Sequence, residues 1–232
     1  MKDLLLHNGI VNYQFIGESD VIFDVGLNVG DKTACFLNLG CRVVGFEPQK
    51  DIYLQARKRF EGRHGFMAEN IALDDKKGVA VMYIAGYHTL SSMNPEFISQ
   101  VKEERFSGYS WDKKEIVNTD TLDNMILRYG IPKYIKIDVE GYELSVLKGL
   151  TRKINYISIE FIPEMIVSVK ECIDYVDTLN QNSTRFNYLY RENDHFYFDE
   201  WVSKSQIMDY LNSVDDRKYE FGDIFLRADY PS

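Results

Sequence analysis

The sequence is poor in cysteine, has no long apolar run and has no excess of basic residues. The 3 cysteines, Cys35, Cys41 and Cys172, show no CxxC spacing, which favours unpaired thiols in a reducing compartment. The 36 acidic side chains outnumber the 27 basic ones and give a net charge of -9, which disfavours a nucleic-acid partner. Because the N-terminal segment carries only a short apolar run, neither a signal peptide nor a membrane span is expected. These absences favour a cytoplasmic protein with no nucleic-acid or membrane partner, and they leave its oligomeric state open.

What the sequence does contain is an alternation of short apolar runs with helical patterns. Strands are expected at 21–25, 42–47 and 65–71, with helices at 31–39 and 48–60 between them. This β-α-β-α-β order indicates an α/β fold with a parallel sheet and right-handed crossovers. Further strands are expected at 79–85, 115–118, 133–138, 154–161, 185–190, 195–198 and 223–227, and further helices at 95–104, 121–129, from the Gly141 turn to 147, 163–179 and 205–211.

The strongest local signal is a glycine-rich turn between the first predicted strand and the first predicted helix. It reads Asp24-Val-Gly26-Leu-Asn28-Val-Gly30. Gly26 and Gly30 lack a Cβ, so the backbone turns sharply and a ligand approaches closely, while the helix N-terminus offers unpaired N–H groups. The three-glycine fingerprint of dinucleotide sites is absent, because Asn28 replaces a glycine.

A second element supports a nucleotide site, since Glu47 ends the next predicted strand. An acid about 20 residues beyond such a turn accepts hydrogen bonds from ribose hydroxyls. The alternative role for Glu47 is to cap the helix that Pro48 opens. A carboxylate and an amide at the turn, Asp24 and Asn28, suit the zwitterionic amino-acid end of S-adenosylmethionine better than a pyrophosphate. Asp24 either holds the ammonium, directly or through water, or orients the loop.

Three segments together resemble the FkbM methyltransferase family: Phe23-Asp-Val-Gly-Leu-Asn-Val-Gly30, Gly45-Phe-Glu-Pro48 and Tyr134-Ile-Lys-Ile-Asp-Val-Glu-Gly-Tyr-Glu143. The last is the most specific, and the resemblance spans about residues 21–161. It implies a Rossmann-like class I methyltransferase fold, with a mostly parallel seven-stranded sheet, one antiparallel strand at the end and helices on both faces. We expect a single domain over 1–232, comprising an N-terminal extension (1–20), a cofactor-binding core (21–161) and a C-terminal part of the same sheet (162–232).

The resemblance also implies an activity and a set of cofactor contacts. The activity is transfer of the methyl group of S-adenosylmethionine, leaving S-adenosylhomocysteine, usually to a hydroxyl of a macrolide or carbohydrate. By position, the amino-acid end lies at the turn Asp24, Gly26, Asn28 and Gly30, the ribose at Glu47, and adenine at Asn70, Ile71 and Ala72. Asp74 and Asp75 are expected in solvent. Leu27 departs from the family, which often has a smaller residue there, and is expected to narrow the turn.

Methyl transfer to an alcohol needs a base, and carboxylates at the carboxyl ends of central strands are natural candidates. Asp138, Glu140 and Glu143 are the predicted catalytic residues, with Glu160 facing the same crevice. Asp138 and Glu140 alternatively fix the loop, and Glu143 alternatively stabilises the helix dipole. Asp138, Glu140 and Glu160 are also possible ligands of a divalent cation, but the resemblance implies no metal and none is predicted. His88 is the other candidate base.

Three functions compete at this level. The first is O-methylation of a small-molecule or glycan hydroxyl. The second is a nicotinamide-dependent oxidoreductase, which the missing third glycine disfavours. The third is a pseudo-methyltransferase that binds the cofactor or a protein partner without turnover, which the carboxylates of Asp138 and Glu140 disfavour. The aromatic residues of the C-terminal third are interpreted as core rather than as a sugar-binding surface.

Overall fold

The computed structural model describes residues 13–103, 105–191, 195–214 and 220–229. Residues 1–12, on which the expected N-terminal extension mostly falls, lie outside the described residues. In chain order the strands are β1 (Val21–Val25), β2 (Arg42–Phe46), β3 (Phe66–Glu69), β4 (Ala72–Leu73), β5 (Gly78–Ile84), β6 (Lys113–Asp120), β7 (Tyr134–Ile137), β8 (Tyr156–Phe161), β9 (Thr184–Tyr190) and β10 (Gly222–Ala228). The α-helices are α1 (Asp31–Asn38), α2 (Lys50–Arg59), α3 (Pro95–Val101), α4 (Leu122–Tyr129), α5 (Glu143–Lys148), α6 (Ile166–Leu179) and α7 (Lys204–Ser213).

The main sheet has seven strands in the order β3-β2-β1-β7-β8-β10-β9. Neighbours from β3 to β8 run parallel, whereas β10 runs antiparallel to both β8 and β9. This arrangement confirms the predicted fold class. The antiparallel strand is the last in the chain, and it lies one place in from the edge because β9 covers it.

The central strands are mostly apolar, as expected for a sheet covered on both faces. Every residue of β7 is buried, and so is most of β1 and β2. Helices α4, α5 and α6 pack on one face against Ile135, Ile137 and Ile159. Tyr13, outside any strand, packs with Phe36 of α1 and Tyr134 on the other face. The polar residues at the strand ends are therefore held by a rigid core.

A second, three-stranded sheet in the order β4-β6-β5 was not expected from the sequence. The chain leaves the main sheet after β3, and β4 pairs with β6 instead. Strand β6 is longer than predicted because it pairs with β5 along its whole length, from Lys113 opposite Ile84 to Thr119 opposite Gly78. This small sheet brings Ala72 and Met82 to the end of β3, where they line the cleft described below.

The strand predicted at 195–198 is wrong, since this segment forms a loop. The side chain of Asn187 takes the place of a neighbouring strand: its amide donates to the Phe198 carbonyl (2.9 Å) and its oxygen accepts from the Phe198 N–H (3.1 Å). The expected core role of the aromatic residues here holds for Phe196, which packs against Phe225, but Tyr197 is 55% exposed.

The longest described helix, α6, has 14 residues, fewer than the roughly 20 that cross a bilayer. None of the helices in the described ranges is both long and apolar enough to span a membrane. The single-domain organisation over 1–232 stays a prediction.

Candidate active site

A cleft opens where β1, β2 and β7 end, at the edge of an α/β sheet where ligands bind. Its volume is about 720 Å³ including the part open to solvent. Among the residues proposed from the sequence, those that line it are Gly26, Asn28, Glu47, Ile71, Ala72, Asp138, Glu140 and His88. Those that do not are Asp24, Gly30, Asn70, Glu143 and Glu160.

The two glycines of the turn are required by neighbouring protein atoms. Gly26 has a φ of +82°, and a Cβ there would lie 1.8 Å from the carbonyl oxygen of Asp138. Gly30 has a φ of +86°, and its Cβ would lie 2.4 Å from the Phe60 ring. Gly26 thus lets the turn after β1 lie against the turn after β7, and Gly30 lets α1 approach α2.

Leu27, which was expected to narrow the turn, does not line the cleft. Its side chain is buried and lies over Gly45, where a Cβ would come within 2.7 Å of it. The larger residue is therefore accommodated by a glycine in the neighbouring strand β2.

Glu47 joins the glycine-rich turn to the turn after β2. Its Oε2 accepts from the Asn28 N–H (3.0 Å), and its Oε1 accepts from the Gln49 N–H (2.8 Å). The side chain is buried, and burial raises its pKa to about 7 despite these backbone donors. The Gln49 side-chain amide also donates to Oε1 (3.5 Å), so Oε2, with one donor among the described residues, has a lone pair for a ligand's hydroxyl.

The predicted adenine segment divides into lining and supporting residues. Ile71 and Ala72 form part of an apolar wall with Phe46 and Met82. Asn70 supports the wall from behind: its amide donates to the carbonyls of Glu47 (2.8 Å) and Pro48 (2.9 Å). Asn70 therefore fixes the turn that carries Glu47 and does not face the cleft.

Asp24 lies beneath the glycine-rich turn and is buried. Its Oδ2 accepts from the Thr33 hydroxyl (2.6 Å), and its Oδ1 lies 3.6 Å from the Lys136 ammonium. Burial raises the pKa of Asp24, although the charge of Lys136 opposes this. Asp24 thus contacts side chains of α1 and β7, and its two predicted roles, holding the ammonium or orienting the loop, stay predictions.

Lys136 is the residue whose role sequence reasoning missed. It lies in β7, is buried, and its ammonium is 3.0 Å from Asp138 Oδ2 as well as 3.6 Å from Asp24. Burial alone lowers the pKa of Lys136, but the carboxylates of Asp138, Asp24 and Asp223 together raise it above its usual value. A lysine inside an otherwise apolar four-residue strand, beside an aspartate of the adjacent strand, was the available signal.

The three predicted catalytic carboxylates have different surroundings. Asp138 lines the cleft and pairs with Lys136. Glu143 is buried, and its Oε1 accepts from the N–H groups of Val139 (3.1 Å) and Gly141 (3.2 Å), so it holds the turn together. Burial raises the pKa of Glu143 to about 7.

Glu140 lines the cleft with a left-handed backbone (φ 55°), which is uncommon outside glycine and asparagine. Its side chain makes no hydrogen bond or ion pair within the described part of the chain, and it lies close to Asp138 and Glu160. Each of these three side chains offers an oxygen within 4.8 Å of the others. Burial, reinforced by Asp138 and Glu143, raises the pKa of Glu140 well above its usual value. Burial and the charge of Glu140 do the same for Glu160.

Residues 86–94, which we call the roof, cover the cleft from the side of the small sheet. Gln49 donates to the carbonyl of His88 (3.1 Å) and accepts from the Ser91 hydroxyl (3.0 Å). Ser92 donates to the carbonyl of Glu140 (2.7 Å). The roof is thus bound both to the turn that carries Glu47 and to the turn that carries Glu140. No pattern in the sequence indicated that Gln49 makes this connection.

Asp74, expected in solvent, is buried. Its Oδ1 accepts from the hydroxyl of Tyr142 (3.0 Å), whose ring lines the cleft, and from the N–H of Asp75 (2.8 Å). The end of the small sheet is thereby joined to the turn after β7.

Comparison with known proteins gives matches at the levels of family, sequence and structure. The model of the methyltransferase FkbM domain matches residues 24–220. Hexuronic acid methyltransferase AglP of Haloferax volcanii is 28% identical over 148 residues, which are 62% of this chain. The chain spans 56% of that relative's length.

Among solved structures, an rRNA methylase from Streptococcus thermophilus aligns with a TM-score of 0.47 at 10% identity, over 96% of this chain and 93% of its own. An O-methyltransferase from Bacillus cereus aligns with a TM-score of 0.41 at 12% identity, over 98% and 80%. The family match begins within β1 and ends before β10, and it covers the turns after β1, β2 and β7 with the carboxylates Asp138, Glu140 and Glu143. The chain belongs to the FkbM methyltransferase domain family.

Proposed function

We propose that this protein is an S-adenosylmethionine-dependent methyltransferase acting on a hydroxyl oxygen of a small molecule or carbohydrate. The observation that carries the proposal is the place of Glu47: a buried carboxylate on the cleft wall, between the glycine-rich turn and an apolar pocket. The nucleoside part of the cofactor has matching groups in the same order: a polar substituent, the ribose hydroxyls and a flat base.

The residues present fit this cofactor. Glu47 would accept from the ribose hydroxyls, and the apolar wall of Phe46, Ile71 and Ala72 would enclose adenine. The turn containing Gly26 and Asn28 would take the amino-acid end. When bound, the cofactor supplies an electrophilic methyl group, so the protein must position the acceptor, exclude water and remove a proton.

Glu140 is the carboxylate best suited to remove that proton. Asp138 forms an ion pair with Lys136, and Glu143 accepts hydrogen bonds from two backbone N–H groups. The Glu140 side chain lines the cleft and makes no ion pair or hydrogen bond within the described residues. A raised pKa makes it a stronger base. In this scheme Asp138 is a positioning residue, Glu143 holds the turn, and Lys136 carries the balancing charge.

The proposed class of acceptor is supported by the name of a relative and by the net charge of the chain. The name of the Haloferax relative describes a hexuronic acid as its substrate, which supports a small-molecule or glycan acceptor here. The net charge of -9 argues against a nucleic acid. A cytoplasmic location belongs to the same proposal, supported by the three cysteines, all of which are free.

The first experiment is calorimetry with S-adenosylmethionine and, separately, with NAD⁺. We expect binding of S-adenosylmethionine alone, weakened about 5- to 150-fold by Glu47→Ala, since losing the ribose contact costs about 1–3 kcal/mol. Tight binding of NAD⁺ instead would favour the oxidoreductase alternative and reject the proposal.

The second experiment is methyl transfer from labelled cofactor to a panel of hydroxylated metabolites and glycans. Turnover distinguishes an enzyme from a pseudo-methyltransferase. With an acceptor in hand, Glu140→Gln should slow transfer about 10²- to 10⁴-fold, the usual contribution of a base, and Asp138→Asn should slow it less. The opposite ranking would move the role of base to Asp138.

A further inference from the structure

Two exposed tyrosines lie beside His88 of the cleft wall without lining the cleft themselves. Tyr87, in the roof, is 51% exposed and Tyr109 is 46% exposed. Their ring centroids are 6.0 Å apart, and the ring planes differ by 35°. The Tyr87 ring also lies 5.4 Å from the ring of His88, which lines the cleft. We call Tyr87, His88 and Tyr109 the rim, an aromatic surface that continues from the cleft wall into solvent.

The rim is held in place by its backbone. The Gly86 N–H donates to the Ser110 carbonyl (3.1 Å), and the Trp111 indole N–H donates to the Leu90 carbonyl (2.7 Å). The His88 carbonyl accepts from Gln49 (3.1 Å). The two segments that carry the tyrosines are therefore fixed to each other and to the cleft, so a ligand that stacks on these rings pays little ordering entropy.

The charges around the cleft disfavour an anionic ligand. None of the described residues that line the cleft is a lysine or an arginine. The buried Lys136 lies between Asp24 and Asp138. The lysines near the rim are also engaged, since Lys113 pairs with Glu115 and Lys114 lies over the Tyr83 ring.

On the acceptor side, the carboxylates of Asp138, Glu140 and Glu160 lie close together. A carboxylate brought beside them would be repelled by any of them that is ionised. A uronate would therefore find repulsion and no unengaged lysine or arginine among the described residues at this cleft.

From the rim and these charges we infer that the acceptor is an uncharged sugar, whose ring stacks through its C–H face on Tyr87 and Tyr109 while a hydroxyl reaches toward Glu140. This inference rests on the proposed function and narrows its substrate class. Aromatic rings bind the apolar face of a pyranose, whereas its hydroxyls stay in solvent or meet polar groups.

Binding to printed oligosaccharides tests the inference without requiring turnover. Protein saturated with S-adenosylhomocysteine is applied to an array carrying neutral oligosaccharides and hexuronate-containing oligosaccharides. We expect binding to members of the neutral set. Tyr87→Ala and Tyr109→Ala should each weaken it about 2- to 10-fold, and Tyr87→Phe should retain it, because stacking does not need the hydroxyl.

Tyr197→Ala is the matched control, since Tyr197 is 55% exposed and its ring packs with Tyr188 and Tyr210 rather than with the rim; it should bind as wild type does. Binding of hexuronates in preference to neutral sugars, binding of no oligosaccharide, or unchanged binding by Tyr87→Ala/Tyr109→Ala would each overturn the inference. Calorimetry with S-adenosylmethionine distinguishes a failure of the proposed function from a failure of the inference about the rim. Failure to bind the cofactor contradicts the proposed function, whereas normal cofactor binding without sugar binding contradicts only the role of the rim.

Discussion

The turn after β2 and the turn after β7 meet at one cleft, but their carboxylates are held differently. Both oxygens of Glu47 accept from backbone N–H groups. Glu140 stands on a left-handed residue, and its side chain makes no hydrogen bond within the described part of the chain. A carboxylate whose oxygens already accept hydrogen bonds is fixed in place, which suits it to recognising a ligand rather than reacting with it. A carboxylate without such hydrogen bonds can accept a proton. In the proposed function Glu47 therefore binds the ligand and Glu140 takes part in the reaction.

Gly26→Ala should have the largest effect, because it breaks the contact between the turn after β1, which carries Gly26, and the turn after β7. The new Cβ would lie 1.8 Å from the Asp138 carbonyl oxygen, and the φ of +82° would be strained. We expect a loss of about 4 kcal/mol or more of unfolding free energy, with loss of cofactor binding. Chemical denaturation measures the first and calorimetry the second.

Gly86→Ala is its control, since a Cβ at Gly86 meets no atom within 4 Å. It should leave stability within about 0.5 kcal/mol of wild type. Normal stability of Gly26→Ala would mean that the two turns are not in the contact described.

Lys136→Met tests the ammonium group that lies between Asp24 of β1 and Asp138 after β7. Removing the ammonium leaves Asp24 buried without its cation, which costs about 3 kcal/mol. Burial already raises the pKa of Asp24, and without Lys136 it should rise further. Since a raised carboxyl pKa in the folded state makes stability fall with increasing pH, the variant should lose more stability at pH 8 than at pH 5.

Denaturation of Lys136→Met at both pH values gives the measurement. The companion variant Asp24→Asn/Lys136→Met should recover part of the loss, because it removes the buried charge as well as its partner. If Lys136→Met were as stable as wild type at both pH values, the ion pairs beneath the turns would contribute nothing to the fold.

The turns after β1 and β2 were more predictable from the sequence than the turn after β7. Gly26 and Glu47 belong to a local strand-turn-helix pattern, so their place on the cleft could be inferred. The reason for Gly26 could not, because the atom it must avoid belongs to Asp138, far along the chain. The role of Lys136 was not recognised because one of its partners, Asp24, lies on a neighbouring strand that is distant in the sequence. The small sheet was missed because the pairing of β4 with β6 leaves no periodic signal in a two-residue strand.

The pH dependence of cofactor binding distinguishes Glu47 from other buried carboxylates. Its pKa is raised from 4.5 to about 7, so folding takes up a proton between these values and Glu47 contributes stability below pH 4.5 that is lost as the pH rises through 7. Cofactor affinity should change in the opposite direction, rising from pH 6 to pH 8, because an ionised carboxylate makes the stronger hydrogen bonds to hydroxyls. Calorimetry at both pH values measures the rise.

Glu143 is the control, since burial raises its pKa to about 7 as well but it does not line the cleft. Glu47→Gln should abolish the rise in affinity with pH, whereas Glu143→Gln should keep it and alter only the pH dependence of stability. If cofactor affinity still rose with pH in Glu47→Gln, a group other than Glu47 would be responsible for the rise.

The smallest effect concerns the outer contact of the turn after β7. Tyr142 donates to Asp74 (3.0 Å), so Tyr142→Phe removes one hydrogen bond and keeps the ring on the cleft wall. We expect a loss of about 1 kcal/mol in unfolding free energy and cofactor affinity within twofold of wild type. Tyr175→Phe is matched to it, because that hydroxyl donates to the Leu150 carbonyl (2.9 Å) away from the cleft. Similar stability losses with unchanged affinity in both would mean that Tyr142 only anchors the turn; a much larger affinity loss in Tyr142→Phe alone would show that its hydroxyl helps to shape the half of the cleft that carries Glu140.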